Sequence, residues 1–230
     1  MSDKTNVTYL APTFFLDSIS SAVQVFAERV CSPDDNPVER AVKLYYAVRD
    51  EIRYDPYDLR YSREAFKAST VITKGSGYCV AKAVVLAALG RQQGIPSRLG
   101  FADVCNHLST SRLRQVMGTN IFHYHGYTEF MLNGRWVKAT PAFNLSLCSR
   151  FNVKPLPFDG ENDAIFHECD ETGQKHMEYL HDHGSFADLP FEKMFSAYRR
   201  HYPGLFELVG VHGLAGDFHH EAERENHRVE

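Results

Sequence analysis

The sequence lacks the features that would place this chain in a membrane, on nucleic acid or on a secretory route. The apolar run from Ala83 to Leu89 is far shorter than the roughly 20 residues of a transmembrane helix. The N-terminal residues show no basic start followed by an apolar stretch, which is the pattern of a signal peptide. A net charge of -4 leaves no broad basic surface for a phosphate backbone. We therefore expect a cytoplasmic protein that binds neither nucleic acid nor a membrane.

Cysteine is also scarce and irregularly placed. Five cysteines occur in 230 residues, and none of them form a Cys-x-x-Cys pair. The cysteines are also odd in number and too widely spread for a disulfide framework or a zinc ribbon, so the sequence predicts neither, and we expect no metal. The composition, 43% hydrophobic and 23% charged, is ordinary for a globular protein. It predicts a single domain over residues 1–215 and a charged, flexible tail over residues 216–230.

Helix patterns dominate the first part of the chain. Ser18 to Val30 carries apolar residues at the i, i+3, i+4 and i+7 spacing of an amphipathic helix. A second helix is predicted from Pro37 to about Ile52, because Asn36 is a good N-cap and proline favours the first turn. A third runs from about Tyr78 to Gln93, where a glycine ends it.

The pattern changes to strands after Pro96. Arg98 to Val104 is predicted as a strand, and residues 106–120 as a polar connection that holds a short helix. The segments "HYHGYTEFML" and "RWVKAT" flank an Asn-Gly pair, which is the strongest short-range signal for a type I′ hairpin. A two-residue turn there pairs Glu129 with Lys138 and makes Thr140 the diagonal neighbour of His125. One further helix is predicted from residue 191 to residue 201.

Cys79 stands at the start of the third predicted helix, directly after Gly75, Ser76, Gly77 and Tyr78. A helix start offers unpaired N–H groups and the positive end of the helix dipole. Both lower the pKa of a thiol, and the N–H groups can also stabilise an oxyanion. A small apolar residue in a core helix is the alternative interpretation. The glycine-rich lead-in favours a nucleophile.

A nucleophilic thiol needs a base, and His125 is the first candidate among the twelve histidines. The hairpin register places Thr140 within the roughly 7–8 Å over which cross-strand side chains interact, so its hydroxyl could orient the imidazole. His123, two residues earlier on the same strand, is the second candidate. The segment "HMEYLHDHG" lacks the i, i+4 spacing of a helical metal site and is predicted to be a solvated surface. "CNH", Cys105 to His107, either lines the mouth of the site or forms a loop.

Three motifs together resemble the transglutaminase-like superfamily of cysteine enzymes: the glycine-rich turn before Cys79, "GIPSR" after that helix, and "HGYTEFMLNGRWV". The resemblance spans about Arg53 to Pro141. It implies a papain-like α+β fold in which N-terminal helices, with the catalytic Cys79 at a helix N-terminus, pack on an antiparallel sheet that carries His125. It also implies a cofactor-free cysteine amidase, peptidase or acyl transferase that forms a thioester acyl-enzyme on a peptide or small-molecule amide.

One position departs from the family pattern. Members typically carry an aspartate four residues after the tryptophan of the second hairpin strand, and Thr140 stands at that spacing after Trp136. Threonine can accept a hydrogen bond from imidazole but cannot supply a negative charge. Asn144, Asp103 and Asp163 are alternatives for the third catalytic member. Two other functions stay open: a thioester-dependent acyltransferase, and a non-catalytic binding module on the same fold.

Overall fold

A computed structural model describes residues 3–107, 109–165, 177–208 and 216–226 of the chain. The strands of this part are β1 (Arg53–Tyr54), β2 (Ser76–Gly77), β3 (Ser97–Asn106), β4 (Ile121–Leu132), β5 (Arg135–Ala139) and β6 (Met177–Phe186). Its helices are α1 (Asp3–Leu10), α2 (Ser21–Val30), α3 (Pro37–Glu51), α4 (Ala68–Lys74), α5 (Cys79–Gln92), α6 (Ser111–Met117), α7 (Leu145–Phe151), α8 (Phe191–His201), α9 (Pro203–Leu208) and α10 (Phe218–Asn226). None of the described helices is both long and apolar enough to cross a membrane.

A four-stranded antiparallel sheet with the order β5-β4-β3-β6 forms one layer of the described chain. The predicted hairpin register is confirmed, because Glu129 pairs with Lys138 and the ladder continues to the turn. Asn133 and Gly134 have φ angles of 50° and 80°, the left-handed values that a type I′ turn requires. β1 and β2 form a separate parallel pair, and β2 lies directly before α5 in the chain.

Helix α5 is the centre of the core. All of its residues from Cys79 to Arg91 are buried, because the sheet covers one side and α2, α3 and α4 cover the others. A helix that is apolar on every face needs such complete enclosure. Thr128 on β4 donates a hydrogen bond of 2.9 Å to the Ala83 carbonyl, which ties the sheet to the helix. The predicted α+β fold, with a helix that begins at Cys79 packed on an antiparallel sheet, is confirmed.

Two parts of the chain differ from the sequence prediction. The segment of β6 was predicted only as a solvated polar surface; it is a partly exposed edge strand, so burial imposes little hydrophobic pattern on it. His176, which precedes it, lies outside the described residues. Within the predicted tail the chain forms α10, whose Phe218 and Ala222 share one helix face and are buried. Phe218 packs against Tyr54 with ring centroids 5.8 Å apart, whereas residues 227–230 lie outside the described part.

Candidate active site

A cleft at the start of α5 contains Cys79, His123 and His125. Its free volume, including the space open to solvent, is about 490 Å³. Aromatic and aliphatic side chains form the rest of the wall, and no carboxylate, lysine or arginine of the described residues contributes to it. These apolar side chains include Tyr54, Tyr78, Leu113, Met117, Tyr198 and Tyr202. The cleft therefore combines a thiol and two imidazoles with a poorly solvated environment.

The position of Cys79 follows from the chain that precedes it. Cys79 is the first residue of α5, after Tyr78 in extended conformation as the N-cap. The β1–β2 pair aligns Tyr54 with Gly77 and so holds the turn against the core. A Cβ on Gly77 would lie only 2.7 Å from the Ala81 Cβ, so the chain can enter the helix this tightly only with glycine. The predicted place of the thiol at a helix start is confirmed.

The protonation state of Cys79 differs from the prediction. The side chain is buried, and burial raises the pKa of the thiol to about 11. Hydrogen bonds from the backbone N–H groups of Gly126, Val80 and Cys79 lower the pKa, but by less than burial raises it. The predicted low thiol pKa is therefore wrong, because desolvation outweighs the helix terminus in this apolar cleft. At neutral pH the thiol is protonated.

His125 precedes Gly126 on β4, so the Cys79 sulfur lies against the peptide that joins these two residues. The imidazole is buried, and burial lowers the pKa of His125 to about 4. Thiol and imidazole are thus both neutral at pH 7. The arrangement favours transfer of the proton during nucleophilic attack over a preformed thiolate–imidazolium pair.

Thr140 does not orient His125 as predicted. β5 ends at Ala139, and the Thr140 N–H donates a hydrogen bond of 3.0 Å to the Ala164 carbonyl. The hairpin pairing therefore ends at Ala139, and Thr140 does not pair with β4. The Thr140 hydroxyl oxygen is buried and makes no hydrogen bond to any described residue. The predicted hydrogen bond between Thr140 and His125 is therefore wrong within the described part of the chain.

Two of the alternative third members make their hydrogen bonds elsewhere. The Asn144 amide accepts a hydrogen bond of 2.6 Å from the Tyr54 N–H and donates one of 2.9 Å to the Ile52 carbonyl. It therefore joins β1 to the C-terminal end of α3. The Asp163 carboxylate accepts a hydrogen bond of 2.8 Å from the Lys138 N–H on β5. Both side chains have structural roles.

Asp103 does pair with a cleft imidazole, but this imidazole is His123. Asp103 Oδ2 lies 3.0 Å from His123 Nδ1, and its Oδ1 lies 2.6 Å from His183 Nε2. Burial raises the pKa of Asp103. Hydrogen bonds from His183, from the Tyr124 N–H and from His123 lower this pKa by more than burial raises it, so the carboxylate is ionised. With Nδ1 held by a carboxylate, Nε2 is the nitrogen of His123 that can exchange a proton.

A β-bulge creates the contact between Asp103 and His123. Ala102 pairs with His125 and Val104 pairs with Phe122, so two residues of β4 oppose Asp103 alone. The extra residue gives Tyr124 a φ of 56°, which non-glycine residues rarely adopt. On sequence grounds Asp103 is a candidate partner only for His125. Its contact with His123 depends on the bulge, which regular strand alternation does not predict.

Gly126 sets the distance between β4 and the first turn of α5. A Cβ at this position would lie 3.0 Å from the Val80 Cα, which is backbone and cannot rotate away. We expect Gly126→Ala to lower the free energy of unfolding by about 1–3 kcal/mol, as overpacking typically does. Urea denaturation measures the effect, with Gly204→Ala as the control, since its Cβ would meet nothing closer than 3.9 Å. Equal midpoints for the two variants would contradict this packing.

The match to a protein family agrees with this geometry. The model of the transglutaminase-like superfamily matches residues 24–141, just over half of the chain, including Cys79 and His125. No curated protein gives a significant match. A solved structure from Cytophaga hutchinsonii, provisionally described as a cysteine protease, is similar over 81% of this chain with 14% identity and a TM-score of 0.48. This chain spans 55% of that neighbour's length. The family match indicates a cysteine-based enzyme, and the chain belongs to the transglutaminase-like superfamily.

Proposed function

We propose that this protein is a cysteine-dependent amidase, peptidase or acyl transferase in which Cys79 is the nucleophile. The observation that carries the proposal is the Cys79 thiol at a helix N-terminus, held against the His125–Gly126 peptide in a cleft. A core cysteine needs neither a cleft nor an imidazole neighbour. The substrate is a peptide or a small-molecule amide, and a reducing cytoplasm would keep the nucleophile as a thiol.

The proposed reaction has two half-reactions. The Cys79 sulfur attacks the amide carbonyl carbon while His125 takes the thiol proton, and the backbone N–H groups at the start of α5 stabilise the oxyanion. The C–N bond then breaks, and the amine leaves with the proton from His125. Water or a second amine attacks the thioester, gives a proton to His125, and the thiol is regenerated as that proton returns to sulfur. His125 must accept and donate protons as a neutral base, in line with its low pKa.

The cleft wall limits the substrates that we propose. Apart from the thiol and the two imidazoles, its side chains are apolar or are tyrosines, so a charged acyl group would lose its hydration without a carboxylate, lysine or arginine of the described residues to pair with it. We therefore favour an uncharged substrate with an aromatic or aliphatic group next to the scissile bond. The same wall suits an acyl thioester, so transfer from a thioester donor is the second candidate activity.

A non-catalytic binding module is the remaining alternative, and the raised pKa of the Cys79 thiol favours it.

The experiment that distinguishes an enzyme from a binding module incubates the protein with panels of uncharged amides, peptides and acyl thioesters. Product release and intact-protein mass are then measured. Our proposal predicts an acyl adduct that maps to Cys79 and is absent from Cys79→Ala. Cys148→Ala is the matched control, because burial also raises the pKa of the Cys148 thiol to about 11. Binding without an adduct or product would instead support the binding module.

Thr140 provides a test of the third catalytic position. Because its hydroxyl is buried and makes no hydrogen bond to the described residues, Thr140→Val removes a polar group that contributes nothing to folding. We expect kcat to stay within about twofold of wild type and the free energy of unfolding to be unchanged or about 1 kcal/mol higher. Steady-state kinetics and urea denaturation check both values. A tenfold or larger loss of kcat would show that Thr140 does orient the base.

A further inference from the structure

A cluster of side chains with metal-ligand chemistry lies at the end of β3, and none of its members lines the Cys79 cleft. The ligand atoms of Cys105, His107 and Glu178 all lie within 4.8 Å of one another. Within this group, His107 Nε2 and Glu178 Oε2 are 2.9 Å apart. We propose that these three side chains bind a Zn²⁺ ion.

Backbone pairing brings the three ligands together. Cys105 is the direct partner of Glu178 in the antiparallel ladder between β3 and β6. Side chains at such opposed positions have Cβ atoms about 4.5–5.5 Å apart, within reach of a shared ion. His107 follows Cys105 by two residues, just beyond the end of β3, and its Nε2 reaches the Glu178 carboxylate. The expectation of no metal considered spacing within single segments, whereas this cluster joins two segments that are distant in sequence.

The donor set determines which ion fits. Zn²⁺ binds cysteine sulfur at about 2.3 Å, histidine nitrogen at about 2.0–2.1 Å and carboxylate oxygen at about 2.0–2.2 Å, in a tetrahedron. Atoms at the corners of such a tetrahedron lie about 3.5 Å apart. The present separations, 2.9 Å between His107 and Glu178 and no more than 4.8 Å for the other pairs, lie on either side of that value, so shifts of about 1 Å would close the site. Mg²⁺ and Ca²⁺ prefer oxygen ligands and fit a thiolate and an imidazole poorly.

Charge and solvent access also suit a divalent ion. A Cys105 thiolate and the Glu178 carboxylate together neutralise the two positive charges, and His107 binds as neutral imidazole. Cys105 is buried, whereas the His107 and Glu178 side chains are 31% and 33% exposed, so the cluster opens to solvent on one side. Three protein ligands leave the fourth position for water. Because the thiol proton must leave, binding should release a proton and tighten as the pH rises.

The test uses Co²⁺ as a spectroscopic substitute for Zn²⁺ on the full-length chain after treatment with a chelator. One equivalent of Co²⁺ should produce a thiolate-to-cobalt charge-transfer band and tetrahedral visible bands, and Zn²⁺ should abolish both. Cys105→Ser should remove the charge-transfer band. Changes to outer-shell partners alone weaken metal sites by about 10–100-fold, so His107→Gln and Glu178→Gln should each weaken Zn²⁺ binding by at least about tenfold.

Cys79→Ser is the matched control and should keep the full cobalt spectrum, because Cys79 is not part of the cluster. If Cys105→Ser fails to fold, Glu178→Gln still tests the site, since this side chain is partly exposed. Absence of stoichiometric Co²⁺ binding to wild type would overturn the proposal. A charge-transfer band that survives in Cys105→Ser or disappears in Cys79→Ser would also overturn it. These outcomes do not depend on the proposed enzymatic function.

Discussion

Replacement of Cys79 by serine is expected to reduce turnover by at least about 10³-fold, as loss of a catalytic nucleophile typically does. A serine hydroxyl is far less acidic than a thiol, and the proposed base, His125, has a pKa lowered to about 4 by burial. A base this weak removes a proton from sulfur during attack but is poorly matched to a hydroxyl. The serine oxygen would still accept hydrogen bonds from the backbone N–H groups at the start of α5, so the fold should be retained.

Steady-state kinetics on a substrate found among the amides, peptides and acyl thioesters described above check the loss of turnover. Thermal unfolding checks that the fold is retained. Cys148→Ser is the appropriate control, because Cys148 is equally buried and its thiol pKa is also raised to about 11, but it lies on α7 away from the cleft lining. We expect the control to keep full turnover. Substantial activity in Cys79→Ser, or an equal loss in Cys148→Ser, would show that Cys79 is not the nucleophile.

The elements that the sequence predicted correctly carry their signals locally. Asn36 forms a capping box with Glu39 at the start of α3, and the helix follows the predicted apolar stripe. The Asn133–Gly134 turn alone determines the register of β4 and β5. Cys79 was found because its glycine-rich lead-in is continuous in sequence. Strand β6 escaped prediction because an exposed edge strand carries no clear alternation.

The parts of the site that were not predicted depend on contacts between distant segments. The pKa of Cys79 is raised because side chains from β1 and α8, such as Tyr54 and Tyr198, help to enclose it. No pattern around Cys79 itself reports that enclosure. The pairing of Asp103 with His123 arises from a bulge, which single-sequence alternation cannot reveal. Local sequence thus indicated which residue we propose as the nucleophile, whereas tertiary packing determines the protonation of its thiol.

The buried imidazole of His125 should make the protein sensitive to acid. The pKa of His125 is about 4 in the folded protein, whereas the ordinary histidine value of 6.5 applies to the unfolded chain. Between these two values the unfolded chain binds the proton and the folded protein does not, so stability falls as the pH falls. The contribution of His125 is fully present above about pH 6.5 and is lost as the pH decreases towards 4. One pKa unit corresponds to about 1.4 kcal/mol, so the total loss is about 3 kcal/mol.

Urea denaturation of wild type and His125→Gln across pH 4–7 measures this contribution. The difference in unfolding free energy between them should change by about 3 kcal/mol over that range, in favour of the variant at low pH. Neighbouring cleft groups do not obscure the result: the pKa values of Cys79, Tyr54 and Tyr198 are all raised, so these groups stay neutral throughout. His123 is present in both proteins and cancels in the comparison unless the substitution alters it. As a control, His220→Gln replaces an exposed histidine, and we expect its unfolding free energy to depend on pH as that of wild type does. Parallel curves for wild type and His125→Gln would mean that the imidazole is solvated or charged in the folded protein, and that the neutral-base mechanism is wrong.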